Sequence, residues 1–185
     1  MSSRAKQRVA QRVERQRRRR RTWVLRGVGI VAVLAGGFFA YRGLMQEYPG
    51  RAVPTLGNQH VASVNTPHIP YNTRPPTSGP HLPDLAPWGI HDKSVSDELQ
   101  VHNLEDGGVL VQYDCRDCEE LVTKLKAIVS RYPDQVILAP YPNLETRIAL
   151  TAWGHIDTLD EVDEPRIVRF IEAYRGIDHH PRSFR

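Results

Sequence analysis

The chain predicts a small α/β or α+β domain carried behind a single N-terminal transmembrane helix. Three observations predict it. One long apolar stretch, Trp23 to Leu44, follows directly on the arginine run Arg17 to Arg21. A proline-dense segment then excludes regular helix. After it come apolar periodicities in the order strand, helix, strand, strand, helix.

Residues 1–21 form a basic arm, with ten Arg or Lys against Glu14 alone. Basic residues stay on the cytoplasmic side of a span, so everything after the span is expected to be extracytoplasmic. The span itself is placed at residues 22–45. Arg26 and Arg42 can snorkel toward opposite faces, and Trp23 and Tyr41 suit the interfaces. No small-residue cleavage site followed by a polar start stands after Ala40, which favours an uncleaved anchor over a signal peptide. Lipid is therefore the expected partner of residues 22–45 and of the arm, whose charge attracts anionic headgroups. Beyond Arg42 the chain holds 13 basic and 20 acidic residues, so this part is near −7 although the whole chain is formally +4. A domain of that sign excludes a nucleic-acid footprint.

Nine of the 14 prolines lie between Pro49 and Pro87, which imposes extended geometry there. Residues 46–70 read as a stalk. From Tyr71 the composition becomes varied and runs into Pro87-Trp88-Gly89, an ordered loop expected to wrap the domain at 71–176. Within that domain Val109 to Tyr113 reads as a strand. Glu119 to Tyr132 reads as a helix with its stripe on Leu121, Val122, Leu125, Ile128, Val129 and Tyr132, stopped by Pro133. Val136 to Ala139 and Arg147 to Trp153 are further strands. An acidic turn, Asp157 to Asp163, precedes a last helix with Pro165 in its first turn, a stripe of Ile167, Phe170, Ile171 and Tyr174, and Gly176 at its end. Residues 177–185, including His179 and His180, read as a loose tail.

Two groups of residues can carry chemistry. Cys115-Arg-Asp-Cys118 sits between a strand and a helix start, the placement of thioredoxin-like redox pairs. Asp114, Asp117, Glu119 and Glu120 surround it and disfavour a thiolate. In an oxidising compartment a small-loop disulfide, worth about 2 kcal/mol, is the first reading, with a redox pair or metal thiolates as alternatives. The second group is histidine-based. A helical turn at 102–106 puts His102 and Asp106 on one face with Glu105 beside them, and His81 from the loop can join as a metal ligand, with His91 as a further addition. The competing explanation is a hydrogen-bonded set that orders the loop. Ser78 and His81 lack a nucleophile-elbow context, and the acidic cluster at 157–164 lacks calcium-loop spacing.

Four segments carry a resemblance: Tyr71-Asn-Thr-Arg-Pro-Pro-Thr-Ser-Gly-Pro-His81, Ala86-Pro-Trp-Gly-Ile90, Val101-His-Asn-Leu-Glu-Asp-Gly-Gly-Val109 and Ile137-Leu-Ala-Pro-Tyr-Pro142. They are similar to a bacterial family of single-pass membrane proteins defined as a domain of unknown function, and the likeness extends over about Tyr71 to Gly176. The resemblance implies a plasma-membrane location with the C-terminal domain outside, and no settled activity. It also implies a second histidine where this chain has Asp106. If His81, His102 and residue 106 bind metal, Asp at 106 keeps a ligand for zinc or copper(II) but suits Cu⁺ poorly; alternatively the site is lost here. The sequence thus leaves three roles open. The first is a non-catalytic accessory or binding protein holding a divalent metal. The second is a membrane-tethered thiol-disulfide oxidoreductase using Cys115 and Cys118. The third is a structural partner in a larger membrane complex, with the Tyr71 to Trp88 segment as its contact surface.

Overall fold

The computed structural model describes residues 17, 20, 21, 23–39, 48–114 and 118–180. Residues 23–39 are helical, and among the described residues no helix is long and apolar enough to cross a membrane. The ends of the expected 22–45 span, and most of the basic arm, lie outside the described residues. A separate compact unit begins at Tyr48.

That unit is a mixed α/β domain. Its elements in chain order are β1 (Arg51–Ala52), β2 (Gly89–Ile90), α1 (Asp97–Glu105), β3 (Val109–Tyr113), α2 (Glu119–Val129), β4 (Val136–Pro140), β5 (Ile148–Ala152), β6 (His155–Leu159) and α3 (Glu164–Tyr174). The strands form one six-stranded sheet in the order β1-β6-β5-β3-β4-β2. β3 runs parallel to β4, as a crossover through α2 requires, and β2 adds to β4 in parallel. β5 and β6 make an antiparallel hairpin, with Gly154 at φ +68° supplying the left-handed turn residue.

The central strands are buried on both faces, which is why they read as nearly continuous apolar runs. On one face Val109, Val111, Leu138, Ile148 and Leu150 pack against Leu121, Leu125 and Ile128 of α2 and Ile167, Phe170 and Ile171 of α3. On the other, Leu110, Ile137 and Ala139 meet Leu104 of α1 together with Ala86 and Trp88 of the proline-rich loop. The loop is thus part of the second layer: residues 75–81 are all buried. Tyr71 Oη donates to the carbonyl of Pro80 and the Ser78 hydroxyl accepts from the Leu56 amide, closing the loop on itself and on the segment before it.

Four expectations change. Residues 48–70 of the expected 46–70 stalk are part of the domain, since the compact unit starts at Tyr48, β1 pairs with β6, and Val53 and Val61 are buried. The acidic turn is partly strand β6: Asp157 is held there by a two-pronged bond from Arg166 Nε and Nη2, which offsets the cost of burying a carboxylate among apolar residues. A full helix, α1, occupies 97–105 where only a turn at 102–106 is legible. Finally, residues 177–180 pack on the domain instead of hanging loose: the His179 amide donates to the Glu105 carbonyl at 2.9 Å. Residues 181–185 lie outside the described residues.

Phe170 is fully buried between the sheet and α3. Its replacement by Ala should cost about 3–5 kcal/mol in urea unfolding followed by circular dichroism. Ile90, 42% exposed, should cost far less when truncated in the same way.

Candidate metal centre

The site grows out of α1. Ser96 caps this helix, its hydroxyl accepting from the Leu99 amide, and Asp97 and Glu98 follow in the first turn. The helix has no apolar stripe. Instead it buries Gln100, His102, Asn103 and Glu105 alongside Val101 and Leu104, because the sheet lies on one side and the wrapping loop on the other. Buried polar groups must find partners or cost on the order of 1–3 kcal/mol each. Two of the four do so conventionally. Asn103 exchanges a pair of 2.9 Å bonds with the amide and carbonyl of Ala86, as a backbone partner would. Gln100 accepts from Gln112 Nε2 at 2.8 Å and donates to Asp97.

His102 Nδ1 and Glu105 Oε2 do not, and the two residues share a helix face at i and i+3. His81 reaches the same point from the proline-rich loop. His60 arrives from the segment beside it, where the Val61 amide bonds to the His81 carbonyl and the His81 amide to the Gln59 carbonyl. One ligand atom from each of His60, His81, His102 and Glu105 lies within 4.8 Å of every other. The three imidazole centroids are 4.9 to 5.3 Å apart. A tetrahedral ion with bonds near 2.1 Å needs donors roughly 3.4 Å apart, so modest side-chain rotations close the shell.

The protonation pattern is informative. His81 Nδ1 lies 2.7 Å from the Gly79 carbonyl, which can only accept, so Nδ1 carries a proton and Nε2 is the ring atom turned into the cluster. That Nε2 is 2.9 Å from Glu105 Oε2, an ion-pair distance when the ring is charged, and neither atom has a hydrogen-bond partner. A carboxylate and an imidazole nitrogen this close in the interior call for a proton or a metal cation between them. His102 Nδ1 is buried and unpartnered as well. Seven buried side-chain N or O atoms lack partners among the described residues; four are neutral hydroxyl or amide groups, and the other three belong to His81, His102 and Glu105. Burial pushes the His102 pKa below its ordinary value against the opposing pull of Asp106, which favours the neutral ring that a metal needs. Glu105 Oε1 is held by Asn58 Nδ2 at 2.8 Å, and the Gly79 carbonyl holds His81. Such outer bonds orient ligands toward an ion.

The expected residues therefore divide. His81, His102 and Glu105 converge. Asp106 stands beside them in a second group with His102 and His180. His91 is elsewhere, its Nε2 bonded to the Pro87 carbonyl at 2.7 Å. His60 joins the set although no spacing in the sequence links it to the others. Cys118 immediately precedes α2 and lines a cleft with Glu119, Glu120, Lys124, Arg147 and Glu161. Among the described residues no cysteine is free. Cys115 lies outside the described residues, and with it the expected disulfide.

A family model described as a protein of unknown function, DUF3105, matches residues 62–183. Neither a curated protein nor a solved structure matches the chain.

Truncating Asn103 to Ala strands the Ala86 amide and carbonyl in the interior, and the expected loss is about 2 kcal/mol or more. Asn103→Asp, which keeps an acceptor for the amide but loses the donor, should also destabilise; chemical denaturation of both variants checks the pair.

Proposed function

The chain belongs to the DUF3105 family, and we propose that its domain is a divalent-metal-binding module, holding zinc or copper(II) through His60, His81, His102 and Glu105. The observation that carries this reading is the meeting of His81 Nε2 and Glu105 Oε2 at 2.9 Å with neither atom hydrogen-bonded. Three imidazoles and a carboxylate are borderline and hard donors, the set that suits Zn²⁺ and Cu²⁺ and not Cu⁺. They complete a four-coordinate shell and leave no open position for a substrate, as structural and storage sites do. The role that fits is therefore a non-catalytic accessory or binding protein.

The setting we propose is a bacterial plasma membrane, with residues 22–45 as anchor, the arm in the cytoplasm and the metal domain outside. The arginine run before the apolar stretch supports that orientation. The thiol-disulfide alternative has a cleft at Cys118, but Glu119, Glu120 and Glu161 line it against Lys124 and Arg147, a balance that does not promote a thiolate. The complex-partner alternative loses part of its surface, because residues 75–81 are inside the domain.

Elemental analysis of the purified full-length chain should find about one equivalent of bound zinc or copper. His81→Ala should weaken binding by about 100-fold or more, since losing a ligand costs at least as much as losing an outer-shell partner. His91→Ala should leave binding unchanged, because that ring is committed to Pro87. A wild-type protein that remains metal-free under excess Zn²⁺ and Cu²⁺, or equal losses from both substitutions, would sink the reading.

A further inference from the structure

The four residues of the inner cluster are not equivalent. His81, His102 and Glu105 are buried, whereas His60 is exposed. They are also held differently. His81 is fixed by Nδ1 on the Gly79 carbonyl, Glu105 by Oε1 on Asn58 Nδ2, and His102 stands on α1 with 8% of its surface exposed. Among the described residues the His60 ring touches the rings of His81 and His102, and no hydrogen bond orients it. We infer that His60 is an exchangeable ligand, whose coordination position is shared with exogenous monodentate nitrogen donors such as imidazole. The bound ion can then be handed on before any buried ligand lets go. The inference rests on the inner cluster being a metal site.

The backbone around His60 does not move in such an exchange. The Gln59 carbonyl accepts from the His81 amide at 2.9 Å and the Val61 amide donates to the His81 carbonyl at 2.8 Å, so the chain on both sides of His60 is bonded to the loop that carries His81. Asn58, two residues before it, keeps its bond to Glu105. Only the side chain is left free. Rotation about its own bonds swings the ring into solvent, and rotamer changes of exposed side chains are among the fastest motions of a protein. The other three cannot follow: His81 would lose the Gly79 carbonyl inside the domain, and His102 and Glu105 lie on the buried side of α1.

With the His60 ring turned away, two imidazoles and a carboxylate remain. Zinc proteins use that set, with its fourth position open, where the metal must meet an outside ligand, whereas four protein ligands hold structural ions. The cluster is therefore closed while His60 is bound and open when it leaves. Its open position faces solvent, because the ring that vacates it is the only exposed one of the four. An incoming donor reaches the ion along the path that His60 has left. A neutral nitrogen donor fits best, since it restores the charge and the borderline softness of the imidazole it replaces.

The test uses the full-length chain loaded with whichever of Zn²⁺ and Cu²⁺ it retains. His60→Ala should bind that ion about tenfold more weakly, since water can fill the exposed gap, against about 100-fold or more for His81→Ala and His102→Ala. Millimolar imidazole should bring His60→Ala back to within about threefold of wild type in the same buffer, and should not restore the two variants whose gaps are buried. In the wild type, the rate at which EDTA removes the ion should rise with EDTA concentration, as attack at an open position requires. That readout needs no substitution, so it stands even where a buried variant fails to fold. A loss in His60→Ala as large as in His81→Ala without rescue, equal rescue of all three variants, or removal independent of EDTA concentration would each overturn the exchange position and leave the metal site standing. Wild-type affinity in His60→Ala would show that His60 is no ligand and overturn it too. A wild-type chain that retains neither ion would remove the metal reading and this one together.

Discussion

The burial of a polar helix is the constraint on which the rest of this domain depends. α1 has the sheet on one side and the wrapping loop on the other, so Gln100, His102, Asn103 and Glu105 are removed from water whatever their chemistry. Each must then be satisfied from within. Asn103 ties the helix to the loop through Ala86, and Gln100 ties it to the sheet through Gln112. These neutral amide bonds fix the rotation of the helix about its axis. Once that rotation is fixed, His102 and Glu105 are delivered to one place, facing a histidine from the loop. The two side chains are thus oriented by the amides beside them.

The proline-rich segment plays the part that a second pair of helices plays in an ordinary three-layer α/β fold. Prolines at 75, 76 and 80 are buried, and proline has no amide to leave unsatisfied in the interior. A loop so built can be buried at low hydrogen-bonding cost, and its restricted backbone also lowers the entropy lost on folding. Several of its backbone groups are bonded to neighbouring segments: the Thr77 carbonyl takes the Gly154 amide, the His81 amide donates to the Gln59 carbonyl, and the His81 carbonyl takes the Val61 amide. That last exchange aligns His60 with His81. The loop therefore both closes the second core and positions two of the four residues of the candidate cluster.

How much of this was legible in the sequence follows from where hydrophobicity decides the outcome. β3, α2, β4, β5 and α3 bury apolar stripes or runs, and their periodicity places each within a few residues. α1 buries polar residues instead, so no stripe marks it, and only the His102 to Asp106 spacing gives a hint of a turn. β6 was hidden because Asp157 sits in it; the compensating Arg166 lies nine residues on, and nothing local announces the pairing. His81, His102 and Glu105 were identifiable as candidate ligands by residue type and spacing. His60 was not, because its place depends on a parallel backbone bridge between segments 21 residues apart. His180 fell in what read as tail, since the crossing that holds it is made by two glycines, Gly107 and Gly176, whose backbone contact has no side-chain signature.

The geometry also changes what Asp106 means. The family resemblance implies a histidine at that position, and with His81, His102 and residue 106 as the presumed ligands an Asp there put the whole site in doubt. In the fold it is Glu105, one residue earlier and 1% exposed, that points into the inner cluster, while Asp106 caps the helix with its side chain 29% exposed. Successive residues on a helix are turned about 100° apart, so 105 and 106 cannot serve the same point. A change at 106 therefore leaves Glu105 in place and reaches the inner cluster only through His102, whose pKa Asp106 pulls upward.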